Sequence, residues 1–197
     1  MEFNLELVLQ IAGLALGLLY LWWEYQADKR MWLVGLVMPM VSMCLYFRKG
    51  LYADFAINIY YLVIAIYGYV VWTFGLKRPK SQDTEQLMIR HAPVGVIASC
   101  SGVLVGLWII LYLWLRYFTD SNVPVPDAFT TAASIVGMWL LARKYIEQWI
   151  CWIVVDAVCV GLYIYKQIPF YALLYAIYTI IAVFGYFKWR RQASTPG

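Results

Sequence analysis

The sequence predicts an all-α integral membrane protein with seven transmembrane helices, arranged as two parallel three-helix bundles joined by a linker helix. Three observations predict this class. Of the 197 residues, 64% are hydrophobic and only 13% are charged, whereas soluble domains are about half apolar and a quarter charged. The apolar residues form segments that approach the length of about 20 residues needed to cross a bilayer. Two of these segments also recur near the end of the chain.

Seven apolar segments can be drawn, and each is predicted to be a membrane helix. They are Leu5–Trp23, Met31–Phe47, Tyr52–Phe74, Pro93–Tyr117, Asp127–Ala142, Trp149–Tyr165 and Phe170–Phe187. The longest polar stretch, residues 75–93, follows the third segment and is predicted to be a linker. We therefore expect a first bundle at residues 1–75, a linker and connecting helix at 76–118, and a second bundle at 119–197.

Positive charges are unequally divided between the two sides that these spans define. One side carries four of the fifteen lysines and arginines, namely Arg48, Lys49, Arg116 and Lys166. The other side carries Lys29, Arg30, Lys77, Arg78, Lys80, Arg90, Arg143, Lys144, Lys188, Arg190 and Arg191. Cytoplasmic loops of membrane proteins are enriched in lysine and arginine. The distribution predicts an external N-terminus and a cytoplasmic C-terminus, which requires an odd number of spans.

The second and third spans resemble the sixth and seventh. A constant shift of 117 positions, without gaps, matches Trp32 with Trp149, Tyr61 with Tyr178, Gly68 with Gly185 and Trp72 with Trp189. The matched spans are four apart, so both copies are expected to cross the bilayer in the same direction. Internal repeats are typical of transporters, which hold their solute near the bilayer midplane where the repeats meet.

One carboxylate stands out in the sixth span. Trp149, Trp152 and Asp156 are spaced at i, i+3 and i+7, so they share one face of the predicted helix. A charged carboxylate near the bilayer centre costs about 2.5–3.5 kcal/mol and is expected to face protein or water. Asp156 is therefore predicted to bind a solute, although a hydrogen-bonded clamp between helices remains an alternative.

Further polar side chains are predicted to line the same cavity. Asn58 and Tyr61 form a stripe on the third span, and Tyr175 and Tyr178 form a stripe on the seventh. An amide that faced lipid would find no hydrogen-bond partner there. Ser134 on the fifth span is expected to reach the ligand, although small polar residues also serve close helix packing, and tyrosines are common at membrane interfaces.

An aromatic cavity with one carboxylate suits a flat heteroaromatic cation. A cation over the face of Trp or Tyr gains roughly 0.5–2 kcal/mol, and the carboxylate supplies the counter-charge. No cofactor and no nucleic acid are expected. A membrane enzyme is disfavoured because the single histidine, His91, lies at a loop edge. A retinal protein is disfavoured because Lys166 and Lys188 lie at span ends. Proton coupling through Asp156 is left open.

The motif Trp149-x-x-Trp152-x-x-x-Asp156 resembles the Pnu family of bacterial vitamin transporters. The segments "DAFTTAASIVGMWLLARKYIEQWICWIVVD" and "LYADFAINIYYLVIAIYGYVVW" are similar to that family as well. The resemblance implies a seven-helix fold of the SWEET type in the bacterial inner membrane. It also implies facilitated diffusion of nicotinamide riboside or thiamine, with trapping through phosphorylation by a cytoplasmic kinase.

The chain departs from the family's nicotinamide riboside members at Asp156, where those members carry asparagine. An acid at this position could pair with the aminopyrimidine of thiamine or offset its thiazolium charge. Thiamine is therefore the predicted substrate, with nicotinamide riboside as the alternative. The predicted partners are the vitamin, the lipid bilayer and the kinase, and a homo-oligomer is left open.

Overall fold

The computed structural model describes residues 5–48, 52–77, 84–85 and 87–194. Within these ranges the chain forms seven helices: α1 Leu5–Tyr25, α2 Met31–Arg48, α3 Tyr52–Phe74, α4 Val94–Phe118, α5 Pro124–Ala142, α6 Gln148–Tyr165 and α7 Pro169–Ser194. Two strands of two residues each, β1 Leu76–Lys77 and β2 Thr84–Glu85, pair antiparallel after α3. The predicted all-α membrane class with seven helices is confirmed. Lys49, Arg78 and Lys80, which entered the charge count, lie outside the described residues.

The helix bounds follow the predicted spans closely, except at two ends. Helix α5 begins at Pro124, three residues before the predicted start, because proline is favoured in the first turn of a helix, where its missing N–H is not needed. Helix α7 continues to Ser194, beyond the predicted end at Phe187. Hydropathy marks where a membrane segment ends, whereas the backbone hydrogen bonds of a helix continue into the polar sequence that follows.

Five of the helices have the length and composition of a membrane span among the described residues. They are Ile57–Phe74 within α3, and α4, α5, α6 and α7. Helix α4 has no buried residue at all, and apolar side chains such as Ile110 and Trp114 are more than half exposed. Exposed apolar surface of this extent requires an apolar surrounding. The lipid bilayer provides it.

The chain divides into two compact units, Met1–Leu87 and Met88–Gly197. In the first unit α2 packs against both α1 and α3. In the second unit α4 packs against α5, α5 against α6, and α6 against α7. The connecting helix α4 therefore packs within the second unit. The three-part division of the chain drawn from the sequence stays a prediction.

The sequence repeat corresponds to a recurring packing arrangement. In the first unit Trp32 is fully buried and its ring lies directly over Gly68. The same ring meets Trp72 edge to face, with centroids 5.7 Å apart and an interplanar angle of 87°. The distance between α2 and α3 is thus set by Trp32 of α2, which packs against Gly68 and, one turn later, Trp72 of α3.

The second unit repeats this arrangement between α6 and α7. Trp149 is 1% exposed and lies over Gly185. It meets Trp189 edge to face, with centroids 5.7 Å apart and an interplanar angle of 89°. The two copies therefore agree in ring distance and ring angle. The residues that match across the repeat are the ones that set the distance between two packed helices.

A candidate substrate-binding site around Asp156

Asp156 lies near the middle of α6 and is buried, with 7% of its surface exposed. Its carboxylate forms no hydrogen bond or ion pair with any residue that the structure describes. The side chain is therefore neither turned outward from the unit nor held by a neighbouring helix. A ligand that reached this acid would supply the hydrogen bonds or charge that burial otherwise removes.

Two tyrosines of α7 lie close enough to Asp156 to interact with it electrostatically. They are Tyr175 and Tyr178, both half-buried. Their rings meet edge to face, with centroids 5.8 Å apart and an interplanar angle of 75°. The structure thus brings together three of the residues that the sequence assigned to the site, and it does so across the α6–α7 pair.

Trp152 lies on the α5 side of Asp156. Its ring packs close to Gly137, where an added Cβ would lie 3.7 Å from the indole. It also packs against a small buried cluster of Ala133, Val155 and Cys159. The indole Nε1 is buried and has no hydrogen-bond partner in the described part of the chain. An unpaired indole N–H in this position is a donor that a ligand hydroxyl or carbonyl could satisfy.

Trp149 occupies a different environment from the one its spacing suggested. Its side chain is enclosed between α6 and α7 by Gly185 and Trp189. The two tryptophans of the motif therefore pack against different neighbouring helices, Trp149 against α7 and Trp152 against α5. Asp156 lies between these two directions on the helix surface, because seven residues turn an α-helix through nearly two full turns.

The remaining predicted site residues are not drawn into this group by any described contact. Ser134 is half-buried on α5, next to the buried Ala133. Asn58 and Tyr61 are half-buried on α3 and belong to the first unit, where Tyr61 interacts electrostatically with Tyr20 of α1. The binding roles of all eight residues named from the sequence stay predictions.

Two buried or stacked side chains, Glu24 and Tyr163, were not predicted from the sequence to be of interest. Glu24 in α1 is 1% exposed and interacts electrostatically with Tyr20. Its signal in the sequence was an ionisable residue close to the end of an apolar segment. Tyr163 of α6 stacks on Tyr175 and packs against the cluster that contains Cys159. Its signal was its spacing, because it lies seven residues after Asp156 on the same face.

A clasp fixes the beginning of α6, just before the tryptophan motif. The Glu147 carboxylate accepts a hydrogen bond from the backbone N–H of Ala92 at 2.8 Å and lies 2.8 Å from Nδ1 of His91. Arg90 adds two backbone hydrogen bonds. Its N–H donates to the carbonyl of Lys144, and its carbonyl accepts from the N–H of Ile146. The segment before α4 is thereby joined to the α5–α6 turn.

Among the residues that the structure describes, no group of three or more His, Cys, Asp or Glu side chains lies together. The four cysteines are free thiols. The chemistry available around Asp156 is therefore charge pairing, hydrogen bonding and contact with aromatic faces.

Comparison with known proteins identifies the family. Residues 7–191 match the model of the family described as the nicotinamide mononucleotide transporter. The chain belongs to this transporter family. The match spans nearly the whole chain, so it includes both units and every residue of the candidate site. The resemblance to the Pnu family drawn from the tryptophan and aspartate motif is confirmed.

Relatives within the family carry two different substrate names. The chain is 26% identical to the nicotinamide riboside transporter PnuC of Escherichia coli (strain K12) over 187 residues, covering 83% of this chain and 77% of that protein. It is 26% identical to PnuC of Neisseria mucosa over 173 residues, covering 81% and 63% respectively. It is 28% identical to the riboflavin/roseoflavin transporter RibM of Streptomyces davaonensis over 138 residues, covering 68% and 64%.

A solved structure of the family shares the fold. The chain matches a crystal structure of the vitamin B3 transporter PnuC with a TM-score of 0.66, covering 90% of this chain and 78% of that one. The two sequences are 23% identical, so this likeness establishes the fold alone. None of these relatives is named for thiamine, and the preference for thiamine drawn from Asp156 therefore receives no support. The alternative, nicotinamide riboside, fits the named relatives better.

Proposed function

We propose that this chain transports nicotinamide riboside across the bacterial inner membrane by facilitated diffusion. Membership of a transporter family and the named riboside transporters among its relatives support this substrate. The observation that carries the proposal is the buried Asp156 carboxylate, which has no described partner and lies beside Tyr175 and Tyr178.

The chemistry of the riboside suits these residues. Its pyridinium ring is flat and carries a fixed positive charge, so a nearby counter-charge would stabilise the buried ring. Asp156 supplies that charge, and the ring faces of Trp152, Tyr175 and Tyr178 supply cation–π attraction worth roughly 0.5–2 kcal/mol. The unpaired indole N–H of Trp152 is a donor for the carboxamide or a ribose hydroxyl. These groups recognise the ring and its charge together.

The other predicted residues have supporting roles in this proposal. Ser134, in the same unit as Asp156, offers a hydroxyl that would bind a ribose hydroxyl. Trp149, enclosed by Gly185 and Trp189, acts by fixing the α6–α7 pair so that Asp156 and the α7 tyrosines keep their separation. Its contribution to binding is therefore indirect.

Passive transport requires a reaction that keeps the solute inside the cell. Phosphorylation by a cytoplasmic kinase serves this purpose, because a phosphorylated riboside no longer fits a site built for a cation. In this arrangement the N-terminus lies outside and the C-terminus lies in the cytoplasm, as the distribution of positive charges predicts. The chain then acts as a transporter and not as an enzyme, alone or as a homo-oligomer.

Uptake by the purified chain in proteoliposomes tests the proposal. Radiolabelled nicotinamide riboside, thiamine or riboflavin is added outside empty vesicles, with and without a pH gradient. We expect saturable uptake of the riboside that stops at equal concentrations on both sides and does not respond to the pH gradient. Saturable uptake of thiamine or riboflavin but not of the riboside would contradict the substrate. Accumulation driven by the pH gradient would contradict the passive mechanism.

The role of Asp156 is tested by replacing it with asparagine. The change keeps the shape of the side chain and removes its charge, so we expect weaker binding of the cationic riboside relative to neutral riboflavin. Asp120→Asn is the matched control, because Asp120 is exposed in the loop between α4 and α5. Equal riboside affinity in the Asp156→Asn and unmodified proteins would show that the charge is not the anchor.

A further inference from the structure

Three tyrosine rings form a continuous stack between the α6–α7 turn and Asp156. Tyr163 of α6 lies between Tyr171 and Tyr175 of α7, with ring centroids 5.2 Å and 5.3 Å away. The interplanar angles are 22° and 14°, so the three rings are nearly parallel and offset. We refer to Tyr163, Tyr171 and Tyr175 as the tyrosine column.

The column covers the face of α6 that carries Asp156. Tyr163 follows Asp156 by seven residues, so the two side chains share one face about 10 Å apart along the helix. Cys159 lies between them on this face and is 8% exposed, and Tyr163 and Tyr175 both pack against the buried cluster to which it belongs. The outer ring, Tyr171, is 46% exposed near the start of α7. The column therefore separates the helix end from the buried carboxylate.

We propose that the tyrosine column is a gate on the path to Asp156, and that Tyr163 makes the gate selective for flat aromatic solutes. This inference rests on the proposed function. When Tyr163 leaves the stack, two ring faces lose their partner. A planar ring that enters between Tyr171 and Tyr175 restores both contacts, whereas a non-planar solute restores neither.

The size of this effect follows from ring stacking. An aromatic pair contributes roughly 0.5–1.5 kcal/mol beyond the area that it buries, and a factor of ten in an equilibrium corresponds to about 1.4 kcal/mol. Two restored contacts therefore favour entry of a flat ring over a sugar by about five- to a hundredfold. Selectivity of this kind comes from the cost imposed on the wrong solute as well as from attraction of the right one.

The first test compares uptake of nicotinamide riboside with uptake of D-ribose by the full chain in proteoliposomes. In Tyr163→Leu the ring is lost and apolar volume is retained, so D-ribose no longer has to break two stacked contacts and we expect its uptake to rise at least about fivefold. Tyr163→Phe keeps the stacked ring and is expected to keep D-ribose uptake within about twofold of that of the unmodified protein. Tyr165→Leu is the matched control, because Tyr165 lies at the same helix end and is 71% exposed.

Unchanged D-ribose uptake in Tyr163→Leu would overturn the gate, as would an equal rise in Tyr165→Leu. If the Tyr163→Leu protein cannot be recovered folded, Tyr171→Leu provides the same comparison from the outer end of the column. Unchanged D-ribose uptake in that variant, with folded protein, would also overturn the proposal.

The second test does not depend on the substrate. Cys44, Cys100 and Cys151 are replaced by alanine, which leaves Cys159 as the only thiol of the chain. The rate at which a trimethylammonium thiosulfonate reagent modifies Cys159 is then measured in detergent, with Tyr163 and with Tyr163→Leu. We expect modification to be at least about threefold faster without the tyrosine ring, and equal rates would overturn the gate. Because this rate requires no transport, a chain that fails to carry the riboside still gives a decisive result.

Discussion

The indole of Trp149 lies so close over Gly185 that no side chain fits between α6 and α7 at that point. A Cβ added to Gly185 would lie 2.7 Å from three atoms of the indole ring, closer than real Cβ contacts allow. The equivalent contact between Trp32 and Gly68 is tighter still. Each unit thus contains a helix pair whose separation is set by one tryptophan against one glycine.

Gly185→Ala is expected to destabilise the protein by about 1–3 kcal/mol, because the added methyl group overpacks a buried contact. The measurement is the free energy of unfolding in mixed detergent micelles. Gly161→Ala on α6 is the matched control, because an added Cβ there meets nothing within 4 Å. Alanine is also the better helix former, so the control is expected to be neutral or slightly stabilising. Equal stability of the two variants would show that Trp149 moves aside without cost.

The two tryptophans of the motif are expected to respond differently to replacement by phenylalanine. Trp149→Phe leaves a cavity between α6 and α7 and should lower stability by about 1–3 kcal/mol. Trp152→Phe removes an unpaired indole N–H beside Asp156 and should weaken riboside binding several-fold with a smaller loss of stability. Thermal unfolding and calorimetric binding on the same preparations check both effects. The reverse pattern would assign the binding contact to Trp149.

The clasp at Glu147 is expected to protect the chain at Arg90. Glu147→Ala removes the acceptor for the Ala92 N–H and the partner of His91, at a cost of about 1–3 kcal/mol. Tryptic cleavage after Arg90 should therefore be faster in this variant. Glu147→Gln is the control, because its amide oxygen can still accept the hydrogen bond from the N–H of Ala92. Its cleavage rate should lie between those of the unmodified protein and Glu147→Ala. Cleavage at the rate of the unmodified protein in Glu147→Ala would contradict the clasp.

The α1–α2 turn is expected to lose stability in acid. A hydrogen bond from the Arg30 side chain holds the pKa of Asp28 below its ordinary value of 3.8, and the Arg30 backbone N–H adds a second bond at 2.9 Å. A lowered pKa means that the stabilisation is present above pH 3.8 and is lost as the pH falls through the folded-state value. Asp28→Asn should therefore flatten the acid limb of a stability–pH profile.

The control for this change is Asp120→Asn, because Asp120 is exposed and forms no described ion pair. Its stability–pH profile should match that of the unmodified protein. If stability falls equally at acid pH in the unmodified protein and in Asp28→Asn, the α1–α2 turn does not contribute to that loss.

The helices and their approximate bounds could be predicted from the sequence, because a bilayer requires an unbroken apolar segment wherever a helix crosses it. The predicted end of the seventh span was too early, since hydropathy does not register that α7 continues as a helix through Lys188, Arg190 and Arg191 to Ser194. The repeat was also visible, because Trp32 and Trp149 face the same steric requirement in each unit.

The sequence by itself determined that Asp156 is an acid within a membrane helix, and that Trp149 and Trp152 lie within one turn of it. Only the tertiary structure decided that Trp149 packs into α7, that Trp152 packs toward α5, and that the carboxylate remains without a described partner. The reason is that helical periodicity gives the direction of a side chain around its own axis. Which neighbouring helix occupies that direction, and how closely, depends on residues far along the chain such as Gly137 and Gly185.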